Sequence, residues 1–179
     1  MSKRIRLWLI AALALCAAAA VGVTLSFMFK KAEKTNTFVP AEVTCKVEES
    51  LFSGVKSDVC VKNTGNAAAY LRIRLVSYYV YANDSIAGSV SSQYPMLTLR
   101  NGWIAGADHT YYYTTPVEPD AETGILCAPI TLDTVELADG TTVYQVLEVF
   151  AEAIQAEPVG AVQEAWKVTV SDTRITPAR

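Results

Sequence analysis

The sequence predicts an all-β protein, a jelly-roll-like antiparallel β-sandwich preceded by an N-terminal hydrophobic segment. Roughly seven to nine short segments alternate apolar and polar residues, as half-buried strands do. Turn-forming residues separate these segments, and the pair Asp139-Gly140 between two β-rich runs is typical of a hairpin. That number of strands is typical of a sandwich or jelly roll of this size.

The N-terminus has the pattern of an export signal. A basic start is followed by an uncharged apolar stretch from Leu7 to Val23. Thr24 and Ser26 place small residues at the two positions that a signal peptidase reads. Residues 1–26 are therefore predicted to be a signal peptide cleaved before Phe27. Because the apolar stretch continued to Phe29 is also long enough to span a bilayer, an uncleaved membrane anchor is the alternative.

The charge balance limits the partners of the exported chain. The sequence has 15 basic and 18 acidic residues, and cleavage would remove three basic ones and no acidic one. The remaining chain is acidic, which disfavours nucleic acid and anionic membranes as partners. We therefore expect a secreted or cell-surface protein whose only membrane association is transient, through the signal peptide.

Residues 27–40 predict an extended arm. They have no helical period, and aromatic residues flank a polar middle, with Phe27 and Phe29 at one end and Phe38 at the other. The domain proper is predicted to cover residues 41–172.

The first half of this domain contains the clearest strand patterns. Residues 42–48 and 55–62 alternate, and the turn at residues 63–66 has side chains that tolerate positive φ. Residues 70–76 then alternate again. Leu71, Ile73 and Leu75 are predicted to face the core, and Arg72 and Arg74 to face outward. The two arginines indicate either a partner contact or, more commonly, a solvated sheet face.

The second half is less regular. Residues 82–110 are rich in loop formers, and Trp103 with the tyrosines at 111–113 predicts sheet and core packing more readily than a sugar-stacking patch. Residues 147–157 have apolar residues at helical spacing, but they also follow a predicted hairpin, which favours a strand. The pattern alone therefore does not decide between a helix and a strand. A helical turn is predicted near residues 161–166, and a frayed tail at residues 173–179.

Three cysteines remain after the signal peptide is removed. Cys45 and Cys60 lie in neighbouring predicted strands, so they form the preferred disulfide, with Cys127 left over. Three reduced thiols are the alternative.

The sequence offers little for catalysis. His109 is the only histidine, and no Gly-x-Ser-x-Gly elbow, zinc-ligand pair, calcium loop or phosphate-binding glycine loop is present. These absences predict a protein that is not an enzyme and that has no cofactor, metal or catalytic residue.

Several segments, in order, resemble one family. The segment Val61-Lys62-Asn63-Thr64-Gly65-Asn66 precedes Tyr70-Leu71-Arg72-Ile73, and Gly22-Val23-Thr24-Leu25-Ser26-Phe27 has the form of a signal boundary. Together with Tyr111-Tyr112-Tyr113-Thr114 and Ala151-Glu152-Ala153-Ile154, they resemble the TasA and camelysin family of Gram-positive biofilm matrix proteins. Signals of that family are cleaved by the SipW signal peptidase. The motif residues are Asn63, Gly65, Tyr70 and Arg72.

The resemblance implies a jelly roll in which residues 144–156 are largely strand. It also implies head-to-tail fibres, in which the arm of one subunit, anchored by Phe27, Phe29 and Phe38, completes the sandwich of the next. Other matrix or surface components are further expected partners. The metallopeptidase activity described for camelysins is not expected, because this chain lacks the ligands. The alternative is a binding module for glycan or protein that does not polymerise.

Overall fold

The structure is a computed structural model, and it describes residues 40–177. The predicted signal peptide, its cleavage site at Ser26 and Phe27, and the arm residues Phe29 and Phe38 lie outside the described residues. Within residues 40–177, no helix is long and apolar enough to cross a membrane.

The described chain is mostly β-strand, and every strand pair is antiparallel, which confirms the all-β prediction. The strands are β1 (Cys45–Phe52), β2 (Val55–Asn63), β3 (Ala69–Tyr81), β4 (Trp103–Ala105), β5 (Thr110–Tyr113), β6 (Ile130–Thr131), β7 (Thr134–Glu136), β8 (Thr142–Gln155), β9 (Val168–Ser171) and β10 (Arg174–Pro177). A single short helix, α1 (Val159–Trp166), lies between β8 and β9 in the described sequence.

The strands form three sheets, with the orders β1-β2-β6, β4-β5-β3-β8-β7 and β10-β9. The long ladder between β3 and β8 runs from the pair Ala69 and Gln155 to the pair Tyr81 and Val143. This ladder is the longest in the five-stranded sheet and joins its two long strands.

The main core lies between the three-stranded and five-stranded sheets. Buried side chains of β2, β3 and β8 meet there, including Val61, Ile73 and Leu147. Leu71, Ile73 and Leu75 all face this core, as the alternation of β3 predicts. A smaller cluster forms around Tyr79 at the other end of β3.

A second core lies on the opposite face of the five-stranded sheet. There α1, β9 and β10, here called the C-terminal module, pack on Tyr70 and Tyr112. The predicted frayed tail is therefore wrong for Arg174–Pro177, which pairs with β9, and Ile175 is only 1% exposed. Ile175 alone makes no alternating pattern, so the sequence does not predict a strand here. Strand β10 is identified only by its pairing with β9.

Strand β8 resolves the conflict between helix and strand. It is a strand over 14 residues, as the resemblance implies, because its ladder to β3 outweighs its helix propensity. The predicted hairpin is confirmed, with Gly140 at φ 82° in the turn between β7 and β8. The helical turn near residues 161–166 is confirmed by α1.

Candidate functional site

Among the described residues, one edge of β8 has no partner strand over most of its length. On that side β8 pairs with β7 only through Thr142–Tyr144, and the Gln145 amide donates to the Asp133 carbonyl at 2.9 Å. From residue 146 to residue 155, no strand within the described range pairs with this side. We call this stretch the open edge.

Five residues direct their backbone groups to the open edge. In an antiparallel strand, alternate residues direct both N–H and C=O to the same side. Gln145 faces β7, so the residues that face the open edge are Leu147, Val149, Ala151, Ala153 and Gln155. None of them makes a backbone hydrogen bond on this side to another residue of the 40–177 region.

The side chains of the same residues show that the core is incompletely covered there. Val149, Ala151 and Ala153 pack against the main core but are only partly buried. An added strand would therefore gain both hydrogen bonds and apolar contacts at this edge.

Strand β1 lies beside the open edge without closing it. Thr44 accepts from the Thr64 amide, so the odd-numbered neighbours, Val43, Cys45 and Val47, direct their backbone groups away from β2. The nearest Cα atoms of β1 and β8 lie within 8 Å, whereas laddered strands approach to about 4.5–5.5 Å. The two strands are therefore close without being hydrogen-bonded to each other, and Cys45 packs against the same core as the half-buried side chains of β8.

The motif residue Asn63 organises the turn after β2. Its side chain is fully buried, and Nδ2 donates to the carbonyls of Ala67 at 2.9 Å and Val117 at 2.8 Å. Its Oδ1 accepts from the Gly65 amide at 3.0 Å. The asparagine therefore has a structural role, joining two distant segments.

Gly65 and Asn66 fix the segment that leads from the predicted arm into β1. The Glu42 amide donates to Asn66 Oδ1 at 2.7 Å, and the Asn66 amide donates to the Glu42 carbonyl at 3.0 Å. A Cβ on Gly65 would collide with the Glu42 carbonyl and lie 3.0 Å from the Thr44 nitrogen. Only glycine allows this approach, which sets the point where residues 27–40 join the domain.

Tyr70 and Arg72, the other two motif residues, hold the C-terminal module. Tyr70 is 1% exposed, and its hydroxyl donates to the Thr173 carbonyl at 3.0 Å. Burial, together with the charge of Glu157, raises the pKa of Tyr70, which keeps this donor protonated. Arg72 pairs with Glu152 at 2.6 Å and lies 4.8 Å from the centre of the Trp166 ring.

The predicted disulfide between Cys45 and Cys60 is wrong, because all three described cysteines are free. In the β1–β2 ladder Cys45 is opposite Asn63, whereas Cys60 is opposite Glu48. Cys45 therefore shares the core-facing side with Asn63, and Cys60 lies on the other side. A disulfide requires Cβ atoms about 3.5–4.5 Å apart, which opposite faces of a hairpin do not allow.

The thiol of Cys60 lies in an acidic environment that sequence reasoning missed. Its sulfur and carboxylate oxygens of Glu48 and Glu122 lie within 4.8 Å of one another. Burial, then Glu122, Glu48 and Asp58, raise the pKa of Cys60, so the thiol stays protonated and is a poor ligand. Glu122 comes from a loop that bridges to Lys62, a long-range contact with no local sequence signal.

Trp103 and Tyr112 lie in the core, in agreement with the predicted core packing. Trp103 is 5% exposed and donates to the Gly124 carbonyl at 2.8 Å, and Tyr112 is 7% exposed. His109 stacks on Tyr94, with ring centres 3.4 Å apart.

Comparison with known proteins adds no relative. No protein-family model, curated protein or solved structure matches this sequence.

Proposed function

We propose that this chain is an exported structural protein that assembles into extracellular fibres. Residues 27–40 of one subunit would add as a strand to the open edge of β8 in the next. The observation that carries the proposal is the row of backbone groups at Leu147, Val149, Ala151 and Ala153, with which no other residue between 40 and 177 pairs.

Strand addition suits both partners chemically. Backbone hydrogen bonds give affinity with little dependence on sequence, and side-chain pockets give specificity. The half-buried side chains at the open edge would accept alternate apolar residues of the arm, for which Phe27, Phe29 and Phe38 are the candidates. Each apolar side chain fully buried would contribute about 1.5–3 kcal/mol. The added strand would complete the sandwich, which we propose to be of the jelly-roll type.

The attachment point of the arm is fixed by the domain. Residues 42–44 are fixed against Gly65 and Asn66 before β1 begins, so the arm joins the domain at a defined point. An arm that binds a different surface on the next subunit makes a head-to-tail contact, and such contacts propagate unless they close into a ring. Fibres follow from this geometry.

Cleavage after Ser26 acts as the switch in this proposal. A signal peptide still inserted in the membrane would hold the arm there, and the signal peptidase would release it outside the cell. Fibre growth would then be confined to the secreted or surface-bound protein.

The test compares purified residues 27–179 with residues 39–179 by electron microscopy and sedimentation. We expect filaments from the first chain and none from the second, because the shorter chain lacks the donor strand. Filaments from both chains would contradict arm-mediated assembly. Monomers from both would favour the alternative, a binding module that does not polymerise.

A further inference from the structure

The outer face of the five-stranded sheet is the face that points away from the main core. Even-numbered residues of β3 and β8 lie on it, because the odd-numbered ones face inward. Outward positions of a half-solvated antiparallel sheet are usually polar. Here most of them are apolar. The uncovered patch, defined as the apolar positions that the C-terminal module does not reach, consists of the exposed Tyr144 and Phe150 and the half-buried Val76, Tyr78, Val80 and Val146.

The C-terminal module covers only part of this face. It packs on Tyr70 and Ile154, and the cover ends at the ion pair between Arg72 and Glu152. In the next rows Phe150 is 50% exposed and Tyr144 is 46% exposed. Apolar residues contiguous over two adjacent strands differ from scattered single ones and mark an interaction surface.

Two charges lie at one end of the patch, on different strands. Arg74 is opposite Phe150 in the ladder, and Val76 is opposite Glu148. Arg74 is exposed and makes no ion pair or side-chain hydrogen bond within residues 40–177. Glu148 is also exposed and accepts from the Tyr78 hydroxyl at 2.7 Å.

We propose that a second copy of this chain docks on the uncovered patch, face to face, about a two-fold axis that runs along the strands between β3 and β8. This axis places β3 of each copy over β8 of the other. Arg74 then lies over Phe150 and near Glu148 of the second copy, and symmetry makes each contact twice. The arginine gains a cation–π contact and an ion pair, both of which are strengthened by burial.

The charge pattern supports a second copy over other occupants. A patch with one cation and one anion has no net field that would attract nucleic acid or an anionic membrane. Its charges instead complement themselves when the patch is rotated onto its own copy.

This contact is separate from strand addition. It uses a sheet face instead of an edge, and a two-fold contact closes instead of propagating. If the proposed fibres form, the contact would join them laterally in pairs. Only this lateral pairing rests on the proposed function.

The experiment uses residues 41–179, which lack the arm but contain every residue of the three core clusters and so form a unit with its own core. Sedimentation from about 1 μM to about 1 mM measures the dimer constant. We expect a dimer that Val146→Glu weakens at least about tenfold, because the glutamate would be buried against Tyr78 of the second copy with no cation opposite it. Phe52→Glu is the matched control, since Phe52 is 84% exposed at the β1–β2 turn, outside the patch. It should leave the dimer constant unchanged.

A charge exchange tests the two-fold geometry independently of folding effects. Arg74→Glu and Glu148→Arg should each weaken the dimer, and the double variant should return it to within about threefold of the original constant. Circular dichroism confirms that each variant is folded.

Three results would overturn the proposal: a monomer at every concentration, equal weakening by Phe52→Glu, or no recovery in the double variant. If residues 27–179 protect the patch from hydrogen exchange while residues 41–179 remain monomeric, the arm is its occupant, and the proposal again fails. Loss of filaments alone, with the dimer intact, would reject only the proposed function.

Discussion

Single residues in this protein act mainly by joining distant segments. Asn63 connects the turn after β2 to Ala67 and Val117, and Tyr70 connects β3 to Thr173. The motif residues that suggested a family are therefore structural, and Gly65 is required because the backbone at Glu42 comes too close for a side chain. Burial and nearby carboxylates raise the pKa of Cys45 and of Cys60.

Replacing Asn63 by alanine should destabilise the fold by about 2–4 kcal/mol, because three backbone partners, two of them in buried hydrogen bonds, lose the bond to its side chain. Urea denaturation of both proteins measures the change. Asn101→Ala, at an exposed position, is the control and should change the free energy of unfolding by less than about 0.5 kcal/mol. A similar small change at Asn63 would show that the turn does not depend on this side chain.

Alkylation of Cys60 by iodoacetamide at pH 8 should be slower than that of a free thiol. Burial and then Glu122 raise its pKa, so less reactive thiolate is present at a given pH. Glu122→Gln should lower that pKa and speed the reaction, whereas Glu136→Gln, at an exposed position in β7, should not. Peptide mass spectrometry assigns the modified cysteine, and equal rates in all three proteins would refute the electrostatic effect.

Elements in this fold differ in how completely they are paired. Strand β3 has neighbours on both sides, whereas β8 has one long ladder and one open edge. Edge strands are usually protected against association, and this one carries small apolar residues instead of charges at Ala151 and Ala153. The open edge therefore has the features of a docking site.

Ala151→Pro should abolish filaments of residues 27–179. Proline removes the one N–H of Ala151, which faces the open edge and contributes nothing to the β3 ladder. Ala151→Gly is the matched control, because it weakens the strand but keeps the N–H. Filaments that persist in the proline variant, seen by electron microscopy, would argue against strand addition at β8.

Assembly should also protect Cys45 from alkylation. Its side chain packs against the main core in β1, the strand beside the open edge where the arm of another subunit would bind, whereas Cys60 lies on the opposite face of the hairpin. The ratio of Cys45 to Cys60 labelling should fall at least about fivefold in filaments, since reaction requires the site to open. An unchanged ratio would place the contact elsewhere.

At the scale of the whole molecule, two cores share one five-stranded sheet. The main core lies between this sheet and β1-β2-β6, and the C-terminal module forms the second core on the other face. Strand β10 is thus part of the domain, with Ile175 buried and its amide donating to the Thr114 carbonyl at 2.9 Å.

Ile175→Ala should therefore cost about 2–5 kcal/mol in the free energy of unfolding, as for other fully buried isoleucines. Thr176→Ala, at the exposed neighbouring position, is the control. Thermal or urea unfolding measures both, and a change of less than about 1 kcal/mol at Ile175 would mean that the module contributes little to the fold.

The sequence by itself determined the local features of this protein. Alternation in β3 fixed which residues face the core, Asp139-Gly140 fixed a hairpin, and the turn formers at residues 63–66 marked the end of β2. These features depend on neighbours within a few positions, so the pattern along the chain is enough to predict them.

Only the tertiary structure decided the rest. It made β8 a strand, placed Cys45 and Cys60 on opposite faces, brought Glu122 to Cys60 and paired β10 with β9. The open edge of β8 has no local sequence signature either, because whether a strand edge is paired depends on where the other strands lie. Each of these outcomes depends on contacts between residues far apart in the chain, whose free energies exceed local propensities and leave no mark in local periodicity.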